Sequence, residues 1–95
     1  MSYELKSQAE QDLEDIAEYS FLNFGIQQAE RYRDSLLSCF ATLADNPHIG
    51  VDVGHILKGA RRHPHKEHVI YYKSSAPLTI LRILGATQDP LEQLY

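Results

Sequence analysis

Two arginines, three histidines and a tyrosine pair fall within one short stretch, Gly59-Ala60-Arg61-Arg62-His63-Pro64-His65-Lys66-Glu67-His68-Val69-Ile70-Tyr71-Tyr72. Guanidinium groups pair with phosphates or carboxylates, and aromatic rings offer stacking surfaces, so Arg61, Arg62 and Tyr71 suit an acidic partner, whether nucleic acid or protein. His63-x-His65 places two imidazoles on one face of a strand, with His68 close behind. A zinc site is the less favoured reading, since no cysteine is near and Glu67 is the one acidic neighbour; the histidines read as surface imidazoles, and no metal or cofactor is expected. His65 and His68 titrate near neutrality and have the chemistry of a general acid or base. No nucleophile, base and orienting group stand together in the sequence, however, and the glycines Gly50, Gly54 and Gly59 are too widely spaced for a phosphate loop. The ordinary alternative is that each arginine is solvated and each tyrosine belongs to the core.

Charge supports the first emphasis. The net charge of −4 divides into −7 over residues 1–57, with three basic residues against ten acidic, and +3 over residues 58–95, with six against three. Asymmetry of this kind marks a surface for an acidic partner, or two differently solvated faces. A chain of 95 residues has room for one domain, residues 1–95, and a composition 43% hydrophobic and 23% charged excludes disordered and fibrous classes. The lone Cys39 cannot form an internal disulfide, the amino terminus has no apolar signal core, and no run approaches the length of a membrane span. A cytoplasmic protein without membrane contact is expected.

The elements that hold the basic stretch are legible from periodicity. Tyr3 to Leu5 reads as a short strand. Ser7-Gln8-Ala9-Glu10 fits a capping box, and Ala9, Leu13, Ile16, Ala17, Ser20 and Phe24 recur at helical spacing, predicting a helix from Gln8 to Asn23 closed by Gly25. Ala29, Tyr32, Leu36, Phe40 and Leu43 predict a second helix that Asn46-Pro47 stops, antiparallel to the first because the joint is so short. Pro47 to Lys58 reads as a loop. His68 to Lys73 and Leu78 to Leu84 are β-branched and aromatic runs about a Ser74-Ser75-Ala76-Pro77 turn, with Gly59 to Pro64 as the strand before them. The fold class is therefore α+β: a short N-terminal strand, an antiparallel two-helix hairpin, then a three-stranded antiparallel sheet with a basic surface. The helices cover one face of the sheet and leave the other free. Strict alternation along Leu78–Leu84 puts Leu78, Ile80, Arg82 and Leu84 on one face, with Arg82 the single charged residue of that strand.

These segments together resemble the ParE toxins of the RelE/ParE superfamily of bacterial type II toxin–antitoxin systems. The resemblance rests on Ala9-Glu10-Gln11-Asp12-Leu13-Glu14-Asp15-Ile16, Leu43-Ala44-Asp45-Asn46-Pro47-His48-Ile49-Gly50, Gly59-Ala60-Arg61-Arg62 before His68-Val69-Ile70-Tyr71-Tyr72, and Ile80-Leu81-Arg82-Ile83-Leu84. It implies a non-enzymatic toxin that inhibits DNA gyrase and blocks replication, with a ParD-like antitoxin as partner. Nucleic acid would then be met directly only within a gyrase–DNA complex. Arg61, Arg62, His63, His65, His68, Tyr71 and Arg82 are the expected target- or antitoxin-binding residues, with acidic antitoxin residues seeking Arg61, Arg62 and Arg82. The related RelE branch cleaves mRNA on the ribosome, and that activity is the alternative. This chain departs from its pattern: His68 replaces an arginine, Ala86-Thr87-Gln88-Asp89 replaces a basic cluster, and Tyr95 lies two residues beyond the usual tyrosine. Fewer cations near a scissile phosphate means less transition-state stabilisation, so binding is favoured over cleavage and no catalytic residue is assigned.

Overall fold

The computed structural model describes residues 2–94. The elements are β1 (Tyr3–Leu5), α1 (Ser7–Phe24), α2 (Ile26–Asp45), β2 (Val51–Asp52), β3 (Ala60–His65), β4 (His68–Lys73), β5 (Leu78–Gly85) and α3 (Pro90–Gln93). They form one five-stranded sheet in the order β1-β5-β4-β3-β2. The expected meander is its centre, all antiparallel, while β1 adds in parallel beside β5, Tyr3 opposite Leu78 and Leu5 opposite Ile80.

The helical hairpin follows the periodicity. Leu36, Phe40 and Leu43 of α2 are fully buried with Ala9 of α1 against Ile70, Tyr72, Leu78 and Ile80. Gly25 takes φ +89°, in the left-handed region that a residue with a Cβ rarely enters, and so lets α1 close and α2 open at a single residue. The capping box does not form. Lys6 is the N-cap, its carbonyl accepting the Glu10 amide, because its own N–H is drawn into the sheet by the Ile80 carbonyl at 3.0 Å. The helix therefore starts one residue early, and Ser7 lies inside it.

Two further expectations are corrected. The segment from Pro47 to Lys58 is not wholly loop, since Val51 and Asp52 pair with Arg62 and Arg61. Tyr72 holds this excursion in place: its buried hydroxyl donates to the Pro47 carbonyl at 2.9 Å and accepts the Gly50 amide at 3.0 Å. Gly50 is needed there, because a Cβ would press on the Tyr72 hydroxyl and lie 2.7 Å from the Arg62 carbonyl oxygen. Nor is the second face of the sheet free. Val53 and Ile56 close over Ala60, Tyr71 and Leu84 as a second small core, with Leu57, Val69, Leu81 and Leu94 at its border.

Alternation along β5 breaks at a bulge. The register passes from Tyr72↔Ile80 to Tyr71↔Arg82, so Leu81 is an extra residue. Ile83 consequently joins the helix-facing core and Leu84 the opposite one, the reverse of what strict alternation assigns. The bulge also brings Arg82 and the Ile83 amide to the edge of β5 beyond the end of β1. Asp12 of α1 meets both: its carboxylate accepts from Arg82 Nε at 2.8 Å, Arg82 Nη2 at 2.9 Å and Ile83 N–H at 2.9 Å.

Removing the Asp12 carboxylate orphans three N–H donors in a site where the paired side chains are 15% and 12% exposed, whereas removing Arg82 leaves Asp12 still bonded to the Ile83 amide. Asp12→Ala is expected to lower unfolding free energy by about 2–4 kcal/mol, and Arg82→Met by clearly less. Urea denaturation of both variants checks this; an equal or reversed order would contradict the assigned role.

Candidate functional site

Antiparallel pairing decides which of the basic-strand residues share a surface, because residues directly opposite one another point to the same face. Arg61, His63 and His65 stand opposite Tyr72, Ile70 and His68, on the helix side. Arg62 and Pro64 stand opposite Tyr71 and Val69, on the far side. The expected single basic surface is thus divided between two faces.

Several of its members are also turned inward. Arg61 donates to the Gly50 carbonyl at 2.7 Å and pins the β2 excursion. Tyr71 is 3% exposed within the second core. Arg82 binds Asp12 and donates to the Gln93 carbonyl at 3.0 Å, so it ties α1, β5 and α3 together; the hydrogen bond with Asp12 and the nearby negative charge raise its pKa despite burial. Arg62 remains exposed, and His63 half-exposed.

What the structure does assemble is a polar cluster where α2 meets the β3–β4 turn. Tyr32 Oη lies 2.6 Å from His68 Nδ1, and Ser35 Oγ lies 3.0 Å from His65 Nε2. Ser35 spends its one proton on the Tyr32 carbonyl at 2.8 Å, which makes His65 Nε2–H the donor to Ser35. The Tyr32 hydroxyl also reaches the His65 carbonyl at 3.4 Å, so it bridges the two histidines, and burial, with a smaller contribution from the Glu67 carboxylate, raises its pKa. Burial lowers the His68 pKa against the opposing pull of Glu67 and Asp12. His65 is lowered by burial first, then by Lys66, His63 and His68. The turn that joins the two histidines is Lys66-Glu67, with Lys66 at φ +55° and its ammonium 5.5 Å from the centre of the Tyr32 ring. Holding a lysine in the left-handed region costs about 1 kcal/mol, and the contact with Tyr32 offsets part of it.

Tyr32 and Ser35 were not read as site residues from the sequence. The signal available was weak: two hydroxyls three residues apart on the otherwise apolar stripe of α2. Among the described residues, no group of three or more His, Cys, Asp or Glu side chains is placed to hold a metal ion. Tyr95 lies outside the described residues.

His68 sits at the middle of a long groove. On one side is α1, contributing Asp15, Ile16 and Tyr19; on the other are the Lys66-Glu67 turn and Gly85 to Gln88, around a hollow of about 790 Å³. The hollow continues past Tyr19 to Phe24, Gln28 and Tyr32. Its lining mixes the apolar Ile16, Tyr19, Phe24 and Ala86 with polar groups, among them the carboxylates of Asp15 and Glu67 and the ammonium of Lys66. No described helix is long and apolar enough to cross a membrane.

The depressed histidines carry a pH dependence. Unfolded histidine titrates near about 6.5, whereas His65 and His68 in the folded chain titrate lower, so on acidification the unfolded state takes up protons first. Stability should fall as pH drops below about 7, until the folded-state values are passed. The double variant His65→Gln, His68→Gln should show a shallower slope between pH 7 and 5.5 in urea midpoints, and identical slopes would refute the buried neutral assignment.

Comparison with known proteins places this geometry. Residues 3–90 match the model of the ParE toxin of the type II toxin–antitoxin system parDE. Toxin ParE1 of Caulobacter vibrioides is 32% identical over 87 residues, covering 92% of this chain and 91% of that protein. A solved chain of a chromosomal ParDE toxin–antitoxin system from P. aeruginosa superposes with a TM-score of 0.76 at 18% identity, covering 90% of this chain and 95% of that one, and so shares the fold. A strand, a helical hairpin and an antiparallel sheet, matched along nearly the whole length in sequence and in shape, make this chain a member of the ParE toxin family of type II toxin–antitoxin systems.

Proposed function

We propose that this chain arrests growth in the cytoplasm by binding DNA gyrase, and that a ParD-like antitoxin neutralises it by lying in the groove around His68. The observation that carries the reading is family membership over residues 3–90 together with a groove of suitable form. A segment with apolar anchors would meet Ile16, Tyr19 and Phe24, and a basic side chain would meet Asp15 and Glu67. Acidic antitoxin residues have Arg62 available on the far face, while Arg61 and Arg82 already hold partners. Contact with nucleic acid would arise within a gyrase–DNA complex.

Action by binding is supported by the same commitments. Of the guanidiniums that a cleavage site would draw on, Arg82 is closed by Asp12 and Arg61 by the Gly50 carbonyl. One observation favours the second reading, ribosome-dependent mRNA cleavage: His65 and His68 face each other across β3 and β4, where one could act as base and the other as acid. Both are pushed toward the neutral form, which leaves the acid role poorly served.

Purified protein is expected to inhibit gyrase supercoiling, and His65→Ala and His68→Ala should retain growth arrest on expression. Absence of gyrase inhibition at large excess would remove the first reading, and loss of toxicity in the folded histidine variants would favour the second. Ala86→Arg, at an exposed groove position, should weaken antitoxin binding at least tenfold by calorimetry without changing the circular dichroism spectrum.

A further inference from the structure

Of the large apolar side chains exposed on this fold, five fall within eight residues at the tip of the helical hairpin: Tyr19, Phe21, Leu22, Phe24 and Ile26, with Leu22 71% and Phe24 65% exposed. Tyr19 and Phe24 pack edge to face at 6.5 Å and border the groove. Phe21, Leu22 and Ile26 lie outside the groove lining. A concentration of exposed apolar side chains at one end of the hairpin marks an interaction surface.

Charge identifies the occupant. Glu18 is three and four residues before Phe21 and Leu22, and Glu30 is four after Ile26, so each shares a helix face with the apolar residues it flanks. Within five residues of the apolar tip the charged residues are these two glutamates, Glu14 and Asp15 against Arg31, while Arg33 lines a separate hollow beside Glu10 and Glu14. A second copy would bring acidic rim against acidic rim. Nucleic acid and anionic membranes need a basic patch, and the tip offers them a single cation, Arg31, against more carboxylates. An apolar pocket rimmed by lysine or arginine on another protein complements it.

We propose that the hairpin tip, centred on Phe21, Leu22 and Ile26, is a docking knob that enters a basic-rimmed apolar pocket on the protein whose inhibition arrests growth. This rests on the chain acting as a growth-arresting toxin, and does not depend on gyrase being the target. The antitoxin groove and the target knob are then different surfaces meeting at Tyr19 and Phe24.

The test is Leu22→Arg, which replaces an apolar side chain by a cation at a position that belongs to neither core, with the charge reversal Glu18→Lys as a second variant. Each is expressed from a titratable promoter and assayed for growth arrest, and each purified protein is measured for antitoxin affinity and urea midpoint. Expected are at least a tenfold higher dose for growth arrest with Leu22→Arg, a smaller increase with Glu18→Lys, and antitoxin affinity and midpoint within twofold and experimental error of the unsubstituted chain. If arrest depends on the tip while supercoiling is unaffected by the unsubstituted protein, the knob stands and the gyrase reading falls. Growth arrest at the original dose by both variants would overturn the knob, as would an inactive unsubstituted chain. Equal loss of antitoxin binding, a concentration-dependent dimer abolished by Leu22→Arg in sedimentation, or binding to phosphatidylglycerol vesicles would each assign the tip to another occupant and overturn the proposal.

Discussion

The shape of this protein depends on how β5 is completed where β1 stops. Leu5 is the last residue of β1 paired with β5, and the chain then turns into α1, leaving the rest of the β5 edge without a strand. Asp12 supplies the missing acceptor from the second turn of α1, taking the Ile83 amide as a neighbouring carbonyl would and binding Arg82 at the same time. An unfilled backbone donor in that position would cost about as much as a lost hydrogen bond, so one carboxylate both satisfies the sheet edge and fixes the helix against it. Arg82 extends the tie to the carboxyl-terminal turn through Gln93. The groove walls, α1 on one side and the end of β5 on the other, are thereby held at a set separation by a bond made at one end of the groove.

This use of Arg82 also explains why charge counted along the chain differs from charge presented at the surface. The carboxyl-terminal part carries the basic excess, but two of its three arginines are occupied, Arg61 by a carbonyl of the β2 excursion and Arg82 by Asp12. The acids of the helical hairpin, by contrast, lie mainly on outward positions such as Glu10, Glu14, Asp15 and Glu18. Guanidinium groups suit inward duty because several planar donors can be met at once, whereas a carboxylate without donors around it is better left in water. The helices therefore present mainly carboxylates, and the sheet and its turns present Arg62 with Lys58, Lys66 and Lys73.

The two helices and the central meander were legible in the sequence because each repeats a pattern long enough to fix a period: Leu36, Phe40 and Leu43 for α2, and Val69 to Tyr72 with Leu78 to Leu84 for the hairpin. β2 has two residues and so no period at all; contacts distant in sequence, from Tyr72 and Arg61 to the backbone at Pro47 and Gly50, hold it. The bulge at Leu81 could not be read for the same reason, as it depends on the partner strand, and it moved Ile83 and Leu84 to exchanged faces. The Ser7 cap failed because a tertiary bond to Ile80 outweighed a local motif. Of the candidate site, His65 and His68 were found by residue type, while Tyr32 and Ser35, which hydrogen-bond to them, were hidden in a stripe that reads as core.

The uncovered tip has a geometric origin. α2 has 20 residues and rises about 30 Å at 1.5 Å per residue, whereas the six residues of β3 or of β4 span about 20 Å. The sheet turns back at Lys66-Glu67, level with Tyr32, and Ile26 lies six residues, or about 9 Å, further along the helix. Apolar residues in that overhang have no strand beneath them, so nothing within the described chain buries Phe21, Leu22 and Ile26. Tyr19 and Phe24 are at the junction, bordering the groove and continuing into the tip. On the reading proposed here, an antitoxin seated in the groove covers those two rings and crowds the knob beside them. Neutralisation would then follow from steric exclusion at a shared border, without any rearrangement of the toxin.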